Sequence, residues 1–295
     1  MATTAEAAGI WKIGDLTVNR LGFGAMRLTQ YGAAFGDGIP SDRDRAIAVL
    51  RRAVDLGVNH IDTAAFYFSA LRSANELINR ALAPYPDDLV ITTKVWPGRN
   101  PSGEWWWATP EQLRGQVEEN LRQLGRDHLD VVNLRIPPSR KTGSIAEHFG
   151  ALSALRDAGL IRHLGISNAT PDHLAEAQAI ASVVCVQNPY GVGAPPDSHA
   201  FLRTCGEQQV AFVPFFAIAG TGRESGSNAS DHETVLSIAR AHDATPAQIR
   251  LAWTLQRGPH VLAIPGTGNP DHLDANIAAG SLRLSDDEMI RLESL

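Results

Sequence analysis

The 295-residue chain is poor in cysteine, holding only Cys185 and Cys205. Two cysteines make neither a disulfide framework nor a zinc site, and so few suit a reducing compartment. The ten histidines are scattered, with none at ligand spacing to a carboxylate or cysteine, so no metal is expected. Positive charge is short too. Against 32 Asp and Glu stand 26 Lys and Arg, a net charge of -6, without a basic cluster. Nucleic acid is therefore not an expected partner. No apolar run approaches the roughly 20 residues of a membrane span. The first nine residues lack the basic start and apolar core of a signal peptide. They are expected as a flexible N-terminus, with 10–295 as one domain, in a cytoplasmic protein that does not enter membranes. A nucleophile elbow, G-x-S-x-G, is missing. A dinucleotide-binding G-x-G-x-x-G is missing as well: Gly22-Phe23-Gly24-Ala25-Met26-Arg27 lacks the third glycine.

What the chain does have is alternation. After a hairpin-like stretch from Trp11 to Val18, eight short apolar runs read as strands: 21–25, 58–62, 89–94, 129–135, 163–167, 183–187, 211–214 and 261–265. Helical patterns separate them. Ile47, Leu50 and Val54 share one face, as do Leu113, Val117, Leu121 and Leu124. Thr109-Pro110, Thr170-Pro171 and Thr245-Pro246 are cap-and-proline helix starts, and Ser144 with Glu147 has the spacing of a capping box. Gly57, Gly125 and Gly159 stand where helices should stop. Eight strand-helix units point to a parallel (β/α)8 barrel, in which loops after strands build the active face. The long loops 27–40, 96–108, 136–143 and 217–230 all follow strands.

On that reading Asp62, Lys94 and Arg135 close strands two, three and four, and Tyr67 lies one loop beyond Asp62. A free phenol has a pKa of about 10 and is a weak acid at neutrality. A nearby lysine lowers that value, and a carboxylate holds the lysine charged and aimed. Taken singly, each is an ordinary cap or surface group; as a set they suggest an assisted acid. Gly165-Ile166-Ser167-Asn168 and Val186-Gln187-Asn188 end two further strands with groups suited to a flat carboxamide. Phe215 and Phe216 either offer a ring face or pack in the core. Trp105, Trp106 and Trp107 either wall a pocket or form an interface.

In order and spacing these residues resemble the aldo-keto reductase superfamily, from Leu21 to Asn276. Asp62-Thr63-Ala64 with Tyr67, Thr93-Lys94, Gly165 to Asn168, Gln187-Asn188 and Ile264-Pro265 leading to Asn276 carry the resemblance. Val131 to Arg135 and Phe212 to Phe216 are most similar to the bacterial pyridoxal reductases. The resemblance implies a single-domain barrel binding NADPH, or NADH, without a Rossmann domain, and reducing a small aldehyde or ketone. Tyr67 would be the general acid, Lys94 its tuner and Asp62 the support of Lys94. Ser167, Asn168 and Gln187 would hold the carboxamide, and Phe215 would stack on the ring. Gly24, Ala25, Met26, Asp62, Pro265 and Gly266 would line the cofactor, with Thr267, His272 and Asn276 towards its adenosine phosphate end. Arg135, Trp96, Trp106 and Tyr67 would meet the substrate. Three departures from the pattern stand out: Arg135 replaces a histidine, Phe68 a glycine, and Gly266 with His272 replace basic residues that grip a 2′-phosphate. Reduction of an imine or C=C bond, or a non-catalytic redox sensor, are the rival readings.

Overall fold

The computed structural model describes residues 3–32, 34, 35, 38–218 and 232–295. Most of the expected loop 217–230 lies outside the described residues. The N-terminal segment is not the loose tail expected. Ala5–Ala8 form a 3₁₀ turn, Ala5 is fully buried, and its N–H donates to the Leu56 carbonyl at 2.8 Å. Small alanine side chains let this turn dock closely enough to be held.

Strands β1 (Ile10–Ile13) and β2 (Leu16–Asn19) form the expected hairpin. A seven-stranded parallel sheet then uses β3 (Phe23–Gly24), β6 (His60–Asp62), β7 (Val90–Val95), β10 (Leu129–Arg135), β11 (Ile161–Ser167), β12 (Val183–Gln187) and β13 (Ala211–Phe212). Two antiparallel ribbons interrupt the series on loops: β4 (Gln30–Tyr31) with β5 (Ile39–Pro40), and β8 (Pro97–Arg99) with β9 (Trp105–Trp107). The eighth expected strand, 261–265, survives only as single bridges, Val261 to Phe212 and Ala263 to Leu21. Those bridges close the sheet into a TIM-like barrel. Pro265 has no N–H to donate, so the contact there is one-sided: its carbonyl accepts from Gly24 N–H at 3.3 Å.

The helices α1 (Arg43–Asp55), α2 (Ala74–Leu82), α3 (Leu113–Leu124), α4 (Ala146–Asp157), α5 (Pro171–Ile180), α6 (Pro196–Glu207), α7 (Glu233–Ala241), α8 (Pro246–Leu255), α9 (Pro270–Ala278) and α10 (Asp286–Glu293) accompany the strands. Thr170 and Thr245 cap α5 and α8 as expected, with His173 and Gln248 closing the boxes. Gly125 ends α3 in the left-handed conformation that only glycine adopts freely. The box expected between Ser144 and Glu147 does not form. Glu176 of α5 accepts from the Ser144 hydroxyl and the Ile145 N–H instead, so a tertiary contact replaces the local one. Among the described residues no helix is long and apolar enough to cross a membrane.

Two apolar clusters show which way each strand faces. Ile61, Ile91, Val132, Leu134, Leu164, Ile166, Val186 and Phe212 belong to the outer cluster between sheet and helices. Val90, Val131, Cys185 and Ala211 belong to an inner cluster, floored by Ile13 and Val18 of the hairpin. Each large side chain so removed from water contributes about 1.5–3 kcal/mol. Side chains alternate along a strand, so Asp62, Lys94, Arg135, Ser167 and Gln187 all face inward. The register sets Arg135 beside Ser167 and Ser167 beside Gln187, in one row at the C-terminal rim. Below them Gly165 is required by close approach. A Cβ there would stand 2.1 Å from Asn133 Oδ1 and 2.6 Å from Cys185 Sγ.

Candidate active site

Asp62, Lys94, Arg135 and Gln187 of the inward row line a cavity of about 810 Å³, counting its open mouth, while Ser167 is buried behind Arg135 and Gln187, outside the lining. Asp62, Tyr67, Lys94 and Arg135 all face it, as expected of them, and so do Gly24, Met26, Gln187, Phe215, Pro265 and Gly266. Lys94 and Asp62 are both buried. Lys94 Nζ donates to Asp62 Oδ2 at 2.6 Å and to the Thr63 carbonyl at 3.0 Å. Gln187 Nε2 donates to Asp62 Oδ1 at 2.7 Å. Both carboxylate oxygens thus have donors, which a buried ion pair needs to offset its desolvation.

Tyr67 sits on the loop after β6, held by its N–H to the Ala64 carbonyl and by Ala74 N–H to its own. Its ring lies 4.9 Å from Lys94 Nζ. Burial pushes the phenol above its ordinary pKa, while the Lys94 and Arg135 charges pull it down and Asp62 pushes it up. The expected lowering by lysine is present but loses to desolvation.

Arg135 reaches across the row. Its Nη1 donates to Ser167 Oγ at 3.0 Å, and its guanidinium lies 4.7 Å from the Phe215 ring centre. Phe215 and Phe216 meet edge to face at 4.7 Å, the chain turning between them and Ala217 with Phe216 at φ 67°. Such a conformation in a bulky residue is costly and gathers at functional sites.

Other expected residues stand elsewhere. Ala25 lies in the 3₁₀ turn after β3 with its methyl wholly in the outer core, so its side chain does not meet the cavity. Asn168 gives its amide N–H to the Ile136 carbonyl at 2.9 Å, leaving Oδ1 for a ligand. Thr267 is buried and accepts from Asn269 N–H at 3.0 Å; Asn276 is buried on α9 and His272 exposed on it, beyond the cavity lining. Trp96 is a correction. It leaves β7 at φ 94°, turns away from the cavity, and stacks on His148 at 4.0 Å. Trp106 is another. Alternation in β9 lays it over Gly98, where a Cβ would fall 2.1 Å from its indole. The alternate residue Trp105 meets Phe35 at 5.0 Å and Phe66 at 5.5 Å, and both rings contact Tyr67. Phe35, Phe66 and Trp105 therefore pack as an aromatic cluster behind the Tyr67 ring, outside the cavity lining. Adjacency to Tyr67 was a signal for Phe66; Phe35 carried none. At Phe68, Arg99 spans the ring and the carbonyl, 4.5 Å and 2.7 Å away.

The residues fit a nicotinamide. Gln187 Nε2 is spent on Asp62, its Oε1 accepts from Ser167 Oγ at a long 3.5 Å and has a second lone pair for a carboxamide, and Phe215 lines the same cavity.

Comparison with known proteins gives the same direction. Residues 20–295 match the aldo/keto reductase family. A pyridoxine 4-dehydrogenase of Escherichia coli is 42% identical over 294 residues, 98% of this chain and 99% of that protein. An uncharacterised oxidoreductase of Schizosaccharomyces pombe is 36% identical, over 99% of this chain and 91% of its own. The crystal structure of an aldo-keto reductase from Klebsiella pneumoniae in complex with NADPH superposes with a TM-score of 0.77 at 25% identity, over 100% of this chain and 95% of that one.

Proposed function

Because the chain belongs to the aldo/keto reductase family, we propose that it reduces a small aldehyde or ketone to the alcohol with NADPH, in the cytoplasm. The observation that carries this reading is the Tyr67 phenol, buried in one cavity with the satisfied Lys94–Asp62 pair and the Phe215 ring. A reduced nicotinamide, when bound, supplies a hydride. The chain's own residues do the rest. Tyr67 O–H donates to the carbonyl oxygen, raising the carbon's positive charge, and passes its proton to that oxygen as the charge develops. A raised pKa keeps this proton in place through neutral pH. Lys94 lies close enough to stabilise the phenolate left behind, and Asp62 keeps the ammonium there. Gln187 Oε1, Ser167 Oγ and Asn168 Oδ1 orient the carboxamide.

Pyridoxal is the first substrate to try, since the Escherichia coli relative is named for dehydrogenating pyridoxine at position 4. NADPH is preferred over NADH, but weakly, because Gly266 and exposed His272 replace stronger phosphate grips. Arg45 partly compensates: its Nη2 donates to Asn269 Oδ1 at 3.1 Å, at the N-terminus of α9. The test is loss of NADPH absorbance with a panel of aldehydes, ketones, imines and enones, repeated with NADH. Oxidation with aldehydes or ketones is the expected result. Turnover confined to imines or enones would overturn it, and so would cofactor binding without turnover.

A further inference from the structure

Among the described residues that line the cavity the cations are Arg27, Lys94 and Arg135 and the acid is Asp62, which is committed to Lys94. Arg135 differs from Lys94 in its partners. Among the described residues no carboxylate pairs with it; its contacts are a hydroxyl, Ser167 Oγ, and a ring, Phe215. One hydroxyl takes one of five N–H groups, so most of a fixed charge and a planar fork remain turned to the cavity. An arginine held in this way by neutral groups suits an anionic oxygen, which it binds with charge-assisted hydrogen bonds.

Resting on the carbonyl-reductase reading, we infer that Arg135 makes the site selective for flat aromatic aldehydes with an oxyanion on the ring beside the carbonyl. Position supports the neighbouring oxygen over a remote one. Arg135 and Tyr67, which protonates the carbonyl, line the same cavity, so both groups serve one region. Flatness follows from the rings that line the cavity, Phe215, Phe216 and Tyr67, the last held in place from behind by Phe66 and Phe35. The step itself is unchanged. Hydride goes to the carbonyl carbon, the Tyr67 proton goes to its oxygen, and the ring oxyanion keeps its charge throughout. Such an oxyanion, conjugated to the carbonyl, makes free aldehyde a poorer hydride acceptor. A preference for it is therefore the protein's doing.

The test compares salicylaldehyde, at a pH where its hydroxyl is ionised, with 2-methoxybenzaldehyde and benzaldehyde. Arg135→Leu and Arg135→Gln should lose about 10- to 100-fold more kcat/KM on salicylaldehyde than on the methoxy compound, the range of a charge-assisted bond. Arg135→Lys should recover part of the difference. The wild type supplies a second measurement that needs no variant. Its salicylaldehyde-to-methoxybenzaldehyde ratio should rise as the hydroxyl ionises. Equal losses on both aldehydes, or a flat wild-type ratio, overturn the inference while turnover of benzaldehyde leaves the reductase reading standing. No turnover of any aldehyde or ketone would overturn both.

Discussion

Lys94 Nζ lies 4.9 Å from the Tyr67 ring centre, and the phenol still titrates above its ordinary value of 10.0, because burial outweighs the cation. The lysine serves less to make Tyr67 acidic in the resting site than to receive the charge once the proton leaves. Reduction requires the protonated phenol. Its kcat/KM should therefore stay level from neutral pH into the alkaline range and fall only above about pH 10, whereas alcohol oxidation, which needs the phenolate, should rise with pH. Tyr67→Phe should lose roughly 10²–10⁴-fold in turnover with NADPH affinity kept. A reduction limb near pH 7, or a phenylalanine variant at wild-type rate, would remove Tyr67 from the role.

The Lys94–Asp62 pair is buried, with side-chain exposures of 2% and 5%. Removing one partner strands the other charge. Lys94→Met should cost about 3–5 kcal/mol in urea unfolding. Adding Asp62→Leu should return much of that stability and none of the activity. If the double variant is no more stable than the single, the stranded carboxylate is not the cause.

Much of the site was legible in the sequence, since strand-end residues inherit their direction from the strand's alternation. Asp62, Lys94, Arg135 and Gln187 face one cavity for that reason. Loop positions carry no such period. Trp96 turns out through a positive φ, and the tryptophan row takes its direction from the pairing of Trp106 with Gly98, a non-local contact that no spacing encodes. The eighth strand read correctly as a barrel-closing segment, but its closure is two bridges, one to each neighbour, and Pro265 offers no N–H to extend the one beside β3. Ser144 failed as a box partner because Glu176, 32 residues on, competes for it.

The aromatic cluster makes its own prediction. Trp105→Ala should raise KM for aromatic aldehydes several-fold and leave small aliphatic aldehydes nearly unaffected, because its ring supports Phe35 and Phe66 against Tyr67. Trp106→Ala should change KM little and lower stability instead, by uncovering Gly98. Steady-state kinetics on propanal and benzaldehyde with both variants separate the two outcomes. A larger KM effect from Trp106 than from Trp105 would restore the original expectation.

His60 lies one layer below Asp62, wholly buried, with Nε2 3.2 Å from Thr92 Oγ1 and no hydrogen-bond partner on Nδ1. Burial drives its pKa from 6.5 down to about 4, against the pull of Asp62 and with the help of Lys94. Folding therefore keeps this ring neutral. Between those two values the unfolded chain binds a proton that the folded chain refuses, so stability rises with pH across the window. The contribution is complete above pH 6.5, declines as pH falls, and reaches its full loss near pH 4. Two and a half units correspond to about 3 kcal/mol. His148 and His260 are also held low by burial and add to the slope in the same direction. The Asp15 carboxylate, depressed by Arg162 and His163, acts below this window, since its own loss begins only as pH falls under 3.8. His60→Gln keeps a polar group at Thr92 without a proton to refuse. Urea unfolding of both proteins at pH 7, 5.5 and 4.5 should show the variant losing less stability than the wild type over the series. Parallel losses would mean that His60 does not set the acid limit, and that the slope belongs to the other histidines and to carboxyls held low, such as Glu176 and Glu288.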